Sequence, residues 1–200
     1  MPPDARIAAI ADRIAERPGA RLLIAVVGPP ASGKSTIAEG LVDHLGPDAV
    51  LMPMDGFHMD DRVLEARGLR PRKGAPETFD HAGLSRALDA VRRGEEVFVP
   101  VFDRSREIAI AGAQVIAPEA RVVVVEGNWL LLDRPGWRDL GPWDLTIRLE
   151  TPEAELRRRL EDRWRNLPEA EARAKIDGND LPNAQVVAAE SRPADVVLTD

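Results

Sequence analysis

One stretch constrains this chain more than any other: Gly28-Pro29-Pro30-Ala31-Ser32-Gly33-Lys34-Ser35-Thr36, which fits G-x-x-x-x-G-K-S/T. The run before it, RLLIAVV (21–27), is apolar, too short for a typical helix and rich in β-branched residues, so it predicts a buried parallel strand. The segment after it, Ser35–Leu45, has a helical pattern. A glycine-rich turn between a buried strand and a helix is an anion cradle. Its glycines let the backbone wrap closely around oxygens, and its N–H groups add to those of the helix N-terminus. In that setting Lys34 reaches the β- and γ-phosphates of a nucleotide and the Ser35 hydroxyl sits on Mg²⁺. Residues 28–36 are therefore expected to bind ATP with Mg²⁺.

The rest of the chain repeats the same theme. Apolar runs recur at Val50–Met54, Arg121–Val125, Leu145–Leu149 and Asp195–Leu198, and helical patterns separate most of them. This alternation predicts an α/β fold of the three-layer P-loop NTPase type, with a mostly parallel five-stranded sheet, helices on both faces and a small lid. Ile7, Ile10 and Ile14 share one face of a first helix that stops at Pro18-Gly19. A helix over 80–93 is predicted with Asp80 as its cap, Leu84, Leu88 and Val91 on one face, and Gly94 after it. Thr151-Pro152-Glu153 predicts another start with Thr151 as the cap. Along that helix the i,i+4 spacing pairs Glu153 with Arg157, Glu155 with Arg159 and Glu161 with Arg165. Residues 107–117, EIAIAGAQVIA, predict a short antiparallel hairpin turning at Ala111–Gly112. With 200 residues and no flexible linker, one domain over 1–200 is expected.

Composition removes several function classes. A net charge of −7 argues against coating nucleic acid or an anionic membrane. No cysteine is present, so disulfide frameworks, thiolate metal sites and cysteine nucleophiles are excluded, and a cytoplasmic location is the simplest expectation. The first residues are interrupted by charges every few positions, unlike a signal peptide, and no stretch approaches a membrane span. The N-K-x-D guanine reader is missing, and Asp133-Arg134-Pro135-Gly136 spells D-x-x-G only far beyond the second strand. The L-S-G-G-Q loop of transporter ATPases is missing too. His44, His58 and His81 have no metal-ligand spacing. The leading class is phosphotransfer to a hydroxyl of a small molecule, with a nucleotide-binding regulatory ATPase of a transport system as the rival.

In a parallel sheet of this kind ligands bind outside the carboxyl ends of the strands. Two acids fall there, Asp55 after 50–54 and Glu126 after 121–125. At the end of the second strand, Asp55 can accept the acceptor hydroxyl's proton or orient that hydroxyl; Glu126 can hold Mg²⁺ directly or through water.

GPPASGKST, MDGFHMDDRVLEARGLRPRKGAPETFD (54–80), VPVFDRS (99–105) and VVVVEGNWLLL (122–132) stand in this order. Together they resemble the phosphoribulokinase, uridine kinase and pantothenate kinase superfamily of P-loop kinases. The D-G-F and K-G-x-P-E-T-F-D blocks are closest to the pantothenate kinase branch, while the compact length and DGNDLPNA (177–184) are more similar to small bacterial nucleoside or fructose-transport-associated kinases. The resemblance implies that Asp55 is the catalytic base and Glu126 the Walker-B-like acid, and that Lys73, Phe79 and Phe102-Asp103-Arg104 surround the acceptor. Where pantothenate kinases have a tyrosine and a histidine, this chain has Phe102 and then Asp103-Arg104. Arg104 has a positive fork suited to a carboxylate or phosphate, and Asp103 can accept from sugar hydroxyls.

A lid over about 157–180 is expected from the arginine-rich helix after the fourth strand. Within it Arg163 has no i,i+4 partner and is the candidate for swinging over the γ-phosphate. Asn183, just past a turn-forming stretch, is a candidate for contact with adenine or acceptor. Trp129, Trp137, Trp143 and Trp164 are expected in the core or at a subunit contact, a homodimer being the candidate assembly.

Overall fold

The computed structural model describes residues 3–199. Its strands are β1 (Leu22–Val27), β2 (Ala49–Pro53), β3 (Val97–Asp103), β4 (Ile108–Ile116), β5 (Val122–Gly127), β6 (Leu145–Glu150) and β7 (Val196–Thr199). Its α-helices are α1 (Pro3–Ala15), α2 (Lys34–Leu45), α3 (Asp61–Ala66), α4 (His81–Arg92), α5 (Glu153–Trp164), α6 (Glu169–Lys175) and α7 (Leu181–Glu190). Five strands form one sheet in the order β2-β5-β1-β6-β7, every pairing parallel. Buried along their whole length, β1 and β5 are apolar without alternation until Glu126, because both faces of the sheet are covered.

Alternate residues of β1 serve the two faces. Leu22, Ile24 and Val26 pack with Ile7, Ile10 and Ile14 of α1 and Ile37, Ala38 and Leu41 of α2. Leu23, Ala25 and Val27 pack with Leu84, Leu88 and Val91 of α4, Trp129 and Val187 of α7. The result is the expected three-layer P-loop fold. A smaller apolar group, Leu156, Leu160, Ile176, Leu181 and Ala184, joins α5 to α7 through a π-helical segment, Ile176–Asp180, with Trp164 against it.

Local predictions divide. Asp80 caps α4 by accepting from Gly83 N at 2.8 Å, and Gly94 follows with φ 80°. At α5 the capping position falls on Pro152 instead of Thr151, its carbonyl accepting from Glu155 N at 2.9 Å. Of the three expected i,i+4 pairs only Glu155–Arg159 forms, at 2.7 Å. Arg157 reaches Asp177 at 2.8 Å and Arg165 bonds Asp162 at 2.8 Å. The hairpin expected within 107–117, turning at Ala111–Gly112, does not form. Residues 108–116 are a single strand paired with β3, and the turn of that β3–β4 hairpin lies between Asp103 and Ile108. Pro100 has no N–H to give the ladder, the register shifts there, and Gly112 (φ 62°) lies in the longer stretch opposite it, within β4. Gln114 Nε2 of β4 donates to Leu51 O, tying the hairpin to edge strand β2.

Candidate active site

The loop after β1 is shaped by close contacts. A Cβ on Gly28 would lie 2.5 Å from Ser32 Oγ and 3.2 Å from Leu149 Cβ, so only glycine fits there. Ala31 (φ 63°) and Gly33 (φ 87°) take left-handed backbone, a curl that forms anion-binding concavities from successive N–H groups. Pro29 and Pro30 are buried, Thr36 is exposed, and Lys34 and Ser35 open α2. Ser32 Oγ is buried with no hydrogen-bond partner, an orphaned donor beside an anion cradle. From the other side Arg159 Nη1 donates to Ala31 O and Ser32 O, each at 3.3 Å, while its Nε bonds Glu155. Hydrogen bonds from Arg158 and Arg159 hold the Glu155 carboxyl at about 2.

Strand register brings the acids to this loop. Val26 of β1 and Pro53 of β2 both stand beside Glu126 of β5, so Glu126 lies between the start of the loop and the segment carrying Asp55. Glu126 is only 7% exposed, and Lys34 Nζ lies 3.4 Å from its Oε1. Burial pushes this carboxyl above its usual range, against the field of Lys34. Asp55 is in a 3₁₀ turn, Met54–Phe57, and its Oδ2 accepts from Arg104 Nη2 at 2.5 Å. Burial alone would raise the Asp55 carboxyl; the field of His58 when its ring is protonated and the charges of Arg104, Lys34 and Arg163 outweigh it and hold it below the ordinary range. Burial drives His58 below the usual imidazole range. Its Nδ1, 2.8 Å from Asp55 O, must then carry the single ring proton, because a carbonyl only accepts.

Beyond Asp55 lies an aromatic row. The His58 ring is 4.0 Å from that of Phe79 and 4.7 Å from that of Phe102, and Phe79 meets Trp137 edge-on at 6.0 Å. Lys73 lies 5.1 Å over Phe102, but its ammonium is already paired: Nζ is 2.7 Å from Asp61 Oδ1 and donates to Glu107 O at 2.8 Å. Asp103 Oδ1 accepts from Ser105 N, Ser105 Oγ and Arg106 N, closing the hairpin turn and leaving Arg104 at its tip. Gly56 allows the hairpin to sit on the Asp55 turn, since a Cβ there would be 2.0 Å from Pro100 O.

Asn183 is buried in α7 and donates to Asn179 Oδ1 at 3.3 Å; Asn179 in turn donates to Lys73 O at 2.7 Å. It thus backs the Lys73-Gly74 loop, whose Gly74 O also accepts from Trp129 Nε1 at 3.1 Å. Arg163 is exposed and lies 5.1 Å over the Trp164 ring, which Lys175 also covers at 4.5 Å. Trp164 Nε1 donates to Asp180 Oδ2 at 2.8 Å. Burial raises the Asp180 carboxyl, opposed by that bond and by Arg163, Lys175 and Lys34, so the end of α5, the π-helical segment and the P-loop lysine share one electrostatic neighbourhood. Trp129 and Trp137 are core residues.

Sequence reasoning gave no role to His58, Arg159, Asp180 or the anions that neutralise Lys73. Two signals among these are legible in the sequence, the spacing D-x-x-H in MDGFH and the i,i+4 spacing of Arg159 to Glu155, and neither points to the contact each side chain makes. Beside Pro29, a cavity of about 430 Å³ opens at the ends of β6 and β7, lined by Thr151, Leu156, Ala184, Val187 and Thr199 among others. Ser35 and Glu126 offer hard oxygen donors, and Mg²⁺ is ordinarily held by one or two protein oxygens together with phosphate and water, so these residues fit the ion. Among the described residues no helix is long and apolar enough to cross a membrane.

A family model described as AAA domain matches residues 24–179. A Silicibacter sp. TM1040 structure of a "putative fructose transport system kinase" is 48% identical, covers 99% of both chains and superposes with a TM-score of 0.90. A "putative uridine kinase" of Schizosaccharomyces pombe is 31% identical over 89% of this chain and 83% of its own length. A pantothenate kinase of Leifsonia xyli is 36% identical over 62% of this chain but only 40% of its own length. With a P-loop domain model spanning most of its length and kinases of these names as relatives, the chain belongs to the AAA-domain P-loop proteins and, among them, to the phosphoribulokinase, uridine kinase and pantothenate kinase superfamily of P-loop kinases.

Proposed function

We propose that this P-loop kinase transfers the γ-phosphoryl group of ATP to a hydroxyl of a small metabolite, a sugar, a nucleoside or a pantothenate-like acid. The observation that carries the reading is the row set by strand register: Lys34 in the loop, Glu126 beside it, Asp55 beyond, and then the aromatic row of His58, Phe79 and Phe102. The loop N–H groups and Lys34 hold the β- and γ-phosphates, while the orphaned Ser32 hydroxyl donates to a phosphate oxygen. Ser35 and Glu126 hold Mg²⁺, which when bound neutralises charge on the phosphates. Asp55, ionised at neutral pH, accepts the proton of the acceptor hydroxyl. The acceptor oxygen forms its bond to the γ-phosphorus as the bond to the bridging oxygen breaks, and ADP leaves.

The remaining site residues take supporting parts in this proposal. Phe79 and Phe102 border the acceptor, Lys73 and Asn183 fix the loop behind it, and Asp103 shapes the turn that presents Arg104. The cavity beside Pro29 takes the nucleotide base. Residues 157–180 act as the lid of a single kinase domain, with Arg163 reaching the γ-phosphate. ATP turnover measured with and without a panel of sugars, nucleosides and pantothenate tests the reading. A rate that rises with one acceptor, with the phosphorylated product identified, is expected. Turnover indifferent to every acceptor would make the protein a nucleotide-hydrolysing regulator.

A further inference from the structure

We propose that the acceptor is itself an anion, a small hydroxy compound carrying a carboxylate or a phosphate that the guanidinium of Arg104 binds while its hydroxyl faces Asp55. The inference rests on the kinase reading above and narrows its substrate class. Arg104 stands at the tip of the β3–β4 hairpin with 59% of its side chain exposed, and one of its nitrogens holds Asp55 at 2.5 Å. Among the described residues it makes no other hydrogen bond, so most of a five-donor fork faces the open side of the site. Of the other charged side chains around Asp55, Arg163 stacks on Trp164, Arg106 of the same turn gives only its backbone N–H to Asp103, and two are already matched. Lys73 is 9% exposed and bound to Asp61 and Glu107, and Asp103 closes its turn. Lys34 belongs to the phosphate side, paired with Glu126.

This arrangement is unfavourable to a neutral acceptor. To lose its proton, an acceptor hydroxyl must reach the carboxylate that Arg104 now occupies. A neutral molecule that displaces Arg104 trades its charge-assisted hydrogen bond for water alone; one that leaves it in place meets a base weakened by the adjacent charge. An acceptor bringing its own anion resolves both, because the guanidinium moves from Asp55 to the ligand and Asp55 regains basicity as the substrate arrives. Since Arg104 and Asp55 are now in direct contact, the anionic group and the reacting hydroxyl must lie only a few bonds apart on one small molecule. The hairpin holding Arg104 is fixed by the Asp103 turn and by the Gly56–Pro100 contact, so the fork is positioned before binding.

The test uses matched sets of neutral polyol, hydroxy acid and polyol phosphate: glycerol, glycerate and glycerol 3-phosphate, and glucitol, gluconate and glucitol 6-phosphate. Each is titrated calorimetrically into the wild type, Arg104→Ala, Arg104→Lys and Lys34→Ala. In at least one set an anionic member should bind roughly ten- to hundred-fold more tightly than its neutral twin, the range of a charge-assisted hydrogen-bonding pair. Arg104→Ala should erase that advantage, Arg104→Lys should keep part of it, and Lys34→Ala should leave it standing. Comparison of acid with phosphate ester decides which anion is taken. Equal binding of neutral and anionic members in every set, or an advantage that survives Arg104→Ala, overturns the proposal. So does an advantage lost only with Lys34→Ala, which would place the anion in the phosphate loop. A melting temperature within a few degrees of wild type confirms that Arg104→Ala is folded, and Arg104→Lys gives a second reading if it is not. Phosphorylation of the same probes separates the two claims. Arg104-dependent anion binding without transfer would sink the kinase reading alone, whereas fast transfer to a neutral polyol that ignores Arg104→Ala would sink the anion site alone.

Discussion

Lys34 and Glu126, 92 positions apart in the chain, meet at 3.4 Å in a nearly closed corner between the P-loop and β5. The pair keeps a buried carboxylate next to a cation until nucleotide arrives, and the phosphates then compete for the lysine. Lys34→Ala should weaken MgATP binding about ten- to hundred-fold, the value of a hydrogen-bonded charge pair, and abolish transfer. Calorimetric titration with MgATP measures this; unchanged affinity would remove the loop from nucleotide binding.

Asp55 is assigned to the acceptor and not to ATP. Asp55→Asn should therefore keep ATP affinity while lowering kcat by about 10²–10⁴, the contribution of a general base. Loss of ATP binding in this variant would move Asp55 into the metal site.

The pH profile should report the same group. Asp55 is held below the ordinary carboxylate range, so its base form persists on acidification past the point where a free carboxylate protonates. Arg104→Ala removes one of the cations responsible. The Asp55 pKa must then rise, and the acid limb of kcat/KM should move to higher pH. A limb that stays in place or moves down would contradict the coupling seen in the 2.5 Å contact.

Gly56 leaves no room for a side chain, its missing Cβ lying 2.0 Å from the backbone oxygen of Pro100. Gly56→Ala should cost about 1–3 kcal/mol in denaturant unfolding, as overpacking against backbone does. The hairpin should shift with it, so acceptor KM should rise more than ATP KM.

Within residues 157–180, Trp164 donates a hydrogen bond to Asp180 and supports Arg163 and Lys175 on its ring. Trp164→Phe retains a ring for the cations and loses the bond, whereas Trp164→Ala loses both. Proteolysis within 157–180 should accelerate in the order wild type, Phe, Ala, with kcat falling in the same order. Equal cleavage rates would show that the ring does not anchor the segment.

Read alone, the sequence determined the nucleotide half of this protein. A phosphate loop is a local object: GPPASGKST between a buried strand and a helix needs only neighbours in the chain to form, and the unbroken apolar runs at 22–27 and 122–125 told that both faces of the sheet are covered. Asp55 and Glu126 were legible for the same reason, each ending its own apolar run. The acceptor half was decided only by tertiary structure. Which residue neutralises Lys73, whether Asp103 faces substrate or its own turn, and that Arg104 bonds Asp55 depend on how a hairpin docks on another strand's loop. The hairpin itself was misplaced because its ladder breaks where Pro100 has no donor and the chain bulges around Gly112, so a left-handed glycine inside a strand looked like a turn. Likewise Arg159 satisfied an i,i+4 rule with Glu155, yet its other nitrogen reaches the carbonyls of Ala31 and Ser32. Spacing along a helix fixes which side chains are neighbours on that helix; what the helix faces is set by packing between elements distant in sequence.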